Sequence, residues 1–212
     1  MLKLDHVTVI APTLGEGVAH VERRLDLTIP FGTRHDYMGT HNHRLQLGGG
    51  VYLEIVALDP DGVAPARPRW FGLDDRDRVR ADWTVGRRLR GWVAAVEDIA
   101  AAVAAHPAVF GDVVALPPDD PAFAFSIPAD GSLPLGGAAP SLIDHRGDPT
   151  SMDEIPDLGA KLRSLTLEHP DPAEIKALFD GLAVEGRPQV VAGPELRYRA
   201  EIETPSGLKT LS

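Results

Sequence analysis

Two short strings put an imidazole and a carboxylate where they could act together, Leu4-Asp5-His6-Val7 and, further along, Tyr52-Leu53-Glu54-Ile55. Both alternate in the manner of half-buried strands, in which side chains two apart share a face. His6 is then expected beside Leu4 and Thr8, opposite Val7 and Val9. Glu54 is expected beside Tyr52 and Val56, with Leu53 and Ile55 behind. If those two faces line one hollow, they offer a bound molecule or ion a nitrogen and a carboxylate together. The plainer reading of His6 is a core histidine bonded to a nearby carboxylate.

Those strings must be held by repeated elements, and one pattern recurs three times along the chain: a strand, an amphipathic helix, then short strands between Gly/Pro turns. In the first copy (1–58), Thr13-Leu14-Gly15-Glu16 reads as a capping box, and Leu14, Val18, Val21 and Leu25 form the buried stripe. Strands over 31–37, 43–47 and 51–57 follow, with Gly48-Gly49-Gly50 as a hairpin turn. A linker (59–88), Pro/Gly-rich over 59–68 and with a solvated loop or helix start at Asp74-Asp75-Arg76-Asp77-Arg78, leads to a second copy (89–146), with strands at 91–96, 111–116, 122–128 and 139–145 and a helix near 98–105. A second, acidic linker (147–160) precedes the third copy (161–212), whose Asp171-Pro172-Ala173-Glu174 combines an N-cap, a Pro at N1 and a capping carboxylate. The fold class is therefore α+β: βαβββ modules forming a curved mixed sheet around a cavity, because one such unit leaves a sheet face that a second must close.

Composition narrows the chemistry. The chain has no cysteine, which removes thiolate metal sites and cysteine nucleophiles and leaves nitrogen and oxygen as metal ligands. Ser126 and Ser164 lack the Gly-x-Ser-x-Gly context of a serine hydrolase. With 21 basic against 31 acidic residues, the formal charge of −10 disfavours nucleic acid and anionic membranes as partners. No export signal and no run of roughly 18 apolar residues is visible, so a cytoplasmic protein is expected.

Leu4-Asp5-His6-Val7 paired with Tyr52-Leu53-Glu54-Ile55 resembles the metal-ligand strands of the vicinal-oxygen-chelate superfamily of glyoxalases, extradiol dioxygenases and bleomycin-resistance proteins. Gly39-Thr40-His41-Asn42, Trp70-Phe71-Gly72-Leu73, Leu142-Ile143-Asp144 and Leu165-Thr166-Leu167-Glu168-His169-Pro170 resemble, more narrowly, a glyoxalase-like domain family over nearly the whole chain. Carried over residue by residue, the resemblance implies a metal set of His6, Glu54 and Asp144. The second copy has Gly91 in place of the histidine, and the third matches nowhere, with Ser164 and Leu211. A divalent ion (Zn, Mn, Fe or Ni) held there would suit a lyase, isomerase or dioxygenase, with Glu54 or Asp144 as the proton-shuttling base. The other reading is a metal-free binding or sequestering protein that retains an apolar small molecule through Tyr52, Trp92 and their neighbours. His41 and His43 are candidate substrate contacts that share a face if their strand starts early, with Asn42 turned away; Gly39 to Asn42 is also ordinary turn chemistry. Trp70 and Phe71 either cap the cavity or anchor the linker, the anchor being preferred. An odd third module suggests a homodimer.

Overall fold

The computed structural model describes residues 1–147 and 154–212; part of the acidic 147–160 connection lies outside the described residues. The first module runs β1 (Leu2–Ile10), α1 (Leu14–Leu25), β2 (Phe31–His35), β3 (Thr40–Gln46) and β4 (Tyr52–Leu58). Thr13 caps α1 as its sequence demands: its Oγ1 accepts the Glu16 N–H and donates to the Glu16 carboxylate at 2.8 Å. Between β3 and β4 the three glycines turn the chain with φ of 74, 63 and 79°, a left-handed run that side chains resist.

The 59–88 segment, expected as a linker, is structured. It holds a 3₁₀ turn at Trp70–Gly72 and α2 (Arg76–Thr84), whose N-cap Asp75 accepts the Arg78 N–H. The second module follows with β5 (Leu89–Ala95), α3 (Ile99–Ala105), α4 (Pro107–Phe110), β6 (Asp112–Leu116), β7 (Phe123–Ile127) and β8 (Ser141–Asp144). Each of these two modules pairs its first strand in parallel with its last, and an antiparallel β1–β5 contact joins them into one curled mixed sheet, ordered β2-β3-β4-β1-β5-β8-β7-β6.

The third module keeps its strand and helix order in sequence but not the sheet order. It comprises β9 (Lys161–His169), α5 (Pro172–Leu182), β10 (Val184–Glu185), β11 (Gln189–Ala192), β12 (Arg197–Thr204) and β13 (Gly207–Leu211). β9 lies inside its sheet, parallel to β11 and antiparallel to β12, giving β11-β9-β12-β13. A third copy of the same arrangement was expected. Instead β9, α5 and β11 form a βαβ unit, with the helix returning the chain to a neighbouring parallel strand. Short β10 leaves this sheet to pair with β1.

The large sheet has two differently used faces. On the helix side, Val7, Val9, Val21, Leu25, Leu53, Ile55 and Leu142 form a core that also contains Leu165, Leu167, Phe179, Tyr198 and Ala200 of the third module. Tyr198 donates its hydroxyl to the Gly137 carbonyl at 2.6 Å, and Arg24 Nε donates to the Thr210 carbonyl. The third module's sheet is thus packed against the large sheet within its own chain. On the other face Ile10, Val56, Val93, Phe125 and Ile143 pack with Trp70, Phe71, Leu73 and Val79, so the 59–88 segment closes the concave side.

Trp92 belongs to the helix-side core, 1% exposed and edge-on to Phe179 at 5.4 Å between centroids. Replacing Phe179 with Ala removes that wall. We expect a loss of about 3–5 kcal/mol in denaturant unfolding, with ligand affinity at the concave face unchanged; a loss under about 1 kcal/mol would contradict this packing.

Candidate functional site

The site is built from β1 outward. Pairing between β1 and β5 slips between Leu4 and His6, leaving Asp5 as the extra residue of a β-bulge. The slip breaks simple alternation: Leu4 joins Val7 and Val9 in the helix-side core, whereas His6 lines the concave cavity. It also lets neighbouring side chains, Asp5 and His6, meet. His6 Nδ1–H donates to Asp5 Oδ1 at 2.6 Å, and His145 Nε2–H donates to Asp5 Oδ2 at 2.8 Å. With acceptor-only oxygens opposite, both ring nitrogens in these contacts carry the proton.

From the other side, Glu54 faces the cavity next to Thr8 on β1 and Arg44 on β3. Its Oε1 accepts the Asn42 side-chain N–H at 2.7 Å, while Asn42 Oδ1 accepts the Thr33 backbone N–H at 2.8 Å, which fixes the amide's orientation. Glu54 Oε2 stands 3.6 Å from His6 Nε2, an ion-pair distance beyond hydrogen bonding, and this buried oxygen has no hydrogen-bond partner. Tyr52 stacks on His6 with centroids 4.4 Å apart.

Charge follows from this layout. Burial works against an imidazolium at His6, but the hydrogen bond and charge of Asp5, together with Glu54, lift its pKa to about 9. Burial likewise opposes the Glu54 carboxylate, and His6, His35 and Asn42 outweigh it and hold the group below its ordinary value. Asp5, against the same burial, is held well below the carboxylate range by His145 and His6. At neutral pH the cavity wall therefore presents an imidazolium between two carboxylates. His35 differs: burial first, then Arg44 among its neighbours, lowers it to about 4, so it is a neutral ring.

Aromatic side chains complete a cavity of about 180 Å³, lined by His6, His35, Asn42, Arg44, Tyr52, Glu54, Trp70, Phe71, Ala122, Phe123, Phe125, Ile143 and His145. Trp70 and Phe71 pack against Phe125 at 5.5 and 5.7 Å. Phe71 adopts φ 61°, a left-handed conformation costing a bulky residue on the order of 1–3 kcal/mol. These two residues do both things expected of them, anchoring their segment in the buried cluster and lining the cavity.

His6, Tyr52 and Glu54 thus come together, and four other candidates lie elsewhere. Asp144 was aligned with Glu54, but on β8 it is Ile143 that faces the cavity; a one-residue offset reverses the face. The Asp144 carboxylate instead accepts the Arg146 backbone N–H at 2.8 Å. Trp92 is turned away for the same reason, since its neighbour Val93 faces inward. Because β3 begins at Thr40, Asn42 and Arg44 point into the cavity and His41 and His43 point outward. His43 donates to the Ile29 carbonyl at 2.6 Å, and His41 approaches Asp59 at 4.0 Å. Asn42, Arg44, His35, His145 and Asp5 were missed; of these, Asn42 and Arg44 were recoverable from a correct start of β3.

The sequence model of a family described as "Glyoxalase-like domain" matches residues 4–183. The chain belongs to this family. Among solved structures, the fold is similar to that of a hypothetical protein from Staphylococcus aureus, at TM-score 0.60 and 8% identity, covering 100% of this chain and 99% of that one. Methylmalonyl-CoA epimerase from Mycobacterium tuberculosis (TM-score 0.40, 15% identity, 66% of this chain and 86% of that one) and from Streptomyces coelicolor (0.40, 14%, 69% and 97%) are more distant. No match emerges among curated proteins. In this glyoxalase-like chain the superfamily's ligand positions are only partly filled. His6 Nε2 and Glu54 Oε2 face common space, but Asp144 does not join them, and His145 Nε2 is engaged by Asp5. Among the described residues no three His, Asp or Glu side chains are arranged to hold an ion. The residues present do not fit a three-ligand metal site. None of the described helices is long and apolar enough to cross a membrane.

Proposed function

We propose that this glyoxalase-like protein binds a small molecule in the cavity between its first two modules and that Glu54 exchanges a proton with it. The observation that carries this reading is the buried, ionised Glu54 carboxylate, which lines an aromatic-walled hollow and whose Oε2 stands 3.6 Å from His6 Nε2 without a hydrogen-bond partner. A carboxylate so placed breaks a C–H or O–H bond of the ligand by taking the proton onto Oε2, and returns it in the reverse step. Asn42 holds the acid in position, and the His6 imidazolium beside it stabilises negative charge left on the ligand. The aromatic walls exclude water, which strengthens these interactions.

A ligand added at 100 times its Kd stabilises its host by about 2.7 kcal/mol. Phenylacetamide and phenylacetate, which match a cavity of this size, are suitable probes. The expected result is a rise in melting temperature with at least one probe, unchanged by EDTA. Stabilisation abolished by EDTA and restored by Mn or Zn would instead favour a metal-dependent glyoxalase or dioxygenase type of reaction, the reading suggested by His6 and Glu54 at the superfamily's ligand positions. No stabilisation with either probe, at concentrations reaching 10 mM, would count against the proposal.

A further inference from the structure

Resting on that reading of the cavity, we infer that its ligand is a monocarboxylate with a ring-sized apolar body, its carboxylate received by Arg44. Arg44 lines the cavity on β3, and among the described residues no carboxylate lies within ion-pair distance of its guanidinium. Its Nη2 donates to Thr33 Oγ1 at 3.2 Å, and its Nε is buried without a hydrogen-bond partner. A buried unsatisfied N–H is costly, and on a cation it is costlier still, so a partner is called for.

The neighbouring acid does not supply it. Glu54 is the cross-strand neighbour of Arg44, yet Asn42 and His6 hold its carboxylate, and it forms no ion pair with Arg44. The backbone also makes room for the cation: a Cβ at Gly32 on β2 would come within 3.0 Å of Arg44 Cγ and Nε. A guanidinium without an acid partner, next to a carboxylate oxygen that accepts no hydrogen bond, is complementary to a molecule that carries its own carboxylate next to an acidic C–H.

Size and shape settle the rest of the ligand. A cavity of about 150 Å³ with apolar walls holds benzene, so about 180 Å³ takes one ring with a small polar head. Trp70, which lines the same cavity from the 59–88 segment, carries a buried indole N–H without a hydrogen-bond partner. The planar guanidinium matches a carboxylate through two parallel hydrogen bonds. A phosphate would bring up to two negative charges beside ionised Glu54, so carboxylate is the favoured anion.

Calorimetric titration with phenylacetate, its neutral isostere phenylacetamide and phenyl phosphate tests this. Phenylacetate should bind the unaltered protein at least tenfold more tightly than either of the others, and in Arg44→Met it should bind no more tightly than phenylacetamide. Should Arg44→Met fail to fold, the preference within the unaltered protein and its weakening by added salt still decide the matter. Equal binding of acid and amide would overturn the inference while leaving the cavity reading intact, as would tighter binding of the phosphate. Failure of all three probes to bind would remove both.

Discussion

Glu54→Gln is expected to lower proton exchange on a bound ligand by roughly 10²–10⁴-fold while leaving the fold intact. Glutamine keeps the shape and still accepts the Asn42 N–H that now reaches Glu54 Oε1 at 2.7 Å. What it loses is an oxygen that can take a proton. The reaction can be followed without knowing the natural substrate, by NMR detection of hydrogen–deuterium exchange at the carbon next to the carbonyl of phenylpyruvate in D₂O. Exchange catalysed equally by the unaltered protein and the Gln variant would rule out Glu54 as the acceptor. Melting temperatures of the two proteins, measured alongside, separate a chemical loss from a structural one.

The second large effect concerns Asp5, which accepts from both His6 and His145. Asp5→Asn leaves His6 buried with one remaining acid, and removing a partner from a buried charged network costs on the order of 3 kcal/mol. The pH dependence follows from direction. His6 is raised to about 9 from 6.5, so its charged form contributes stability fully below pH 6.5, and that contribution is lost as pH rises through 9. Asp5 and Glu54 are lowered, so theirs is present above the ordinary carboxylate range and lost only on strong acidification. His6 contacts Asp5 on its own strand and Glu54 and Tyr52 on β4, and shares the cavity with His35 on β2, Asn42 and Arg44 on β3, and His145 after β8. Urea unfolding of the unaltered protein should therefore show stability falling between pH 6.5 and 9. In Asp5→Asn the decline should shift toward lower pH and start from a lower plateau. Identical curves for both would mean that Asp5 does not hold the imidazolium.

Much of the frame was legible before any coordinates. The Thr13 and Asp171 caps, the triple-glycine turn and the alternation of β4 each arise from local chemistry, and local chemistry is written in consecutive residues. Tyr52 and Glu54 were placed on one face, opposite Leu53 and Ile55, by period two alone. The misplacements share one cause. A bulge at Asp5 moved Leu4 to the other face, His41 and His43 share a face opposite Asn42 as expected but it is the one away from the cavity, and an offset of one on β8 exchanged Asp144 for Ile143. Periodicity fixes faces only relative to a starting residue, so every error of one inverts a strand. The third module failed differently. Its strands were found, but the insertion of β9 between β11 and β12 is a matter of long-range pairing. Likewise the 59–88 segment looked like a connector because its Pro and Gly content masks the few large side chains, Trp70, Phe71 and Leu73, by which it closes the cavity.

The most direct test is where a bound ring comes to rest. With phenylacetate added to isotope-labelled protein, intermolecular NOEs should connect the phenyl protons to Trp70, Phe71 and Ile143, side chains contributed by the closing segment and the second module to one pocket. NOEs confined to residues outside that pocket, such as Leu47 and Leu162 in the groove beside the third module, would contradict the assignment of the site.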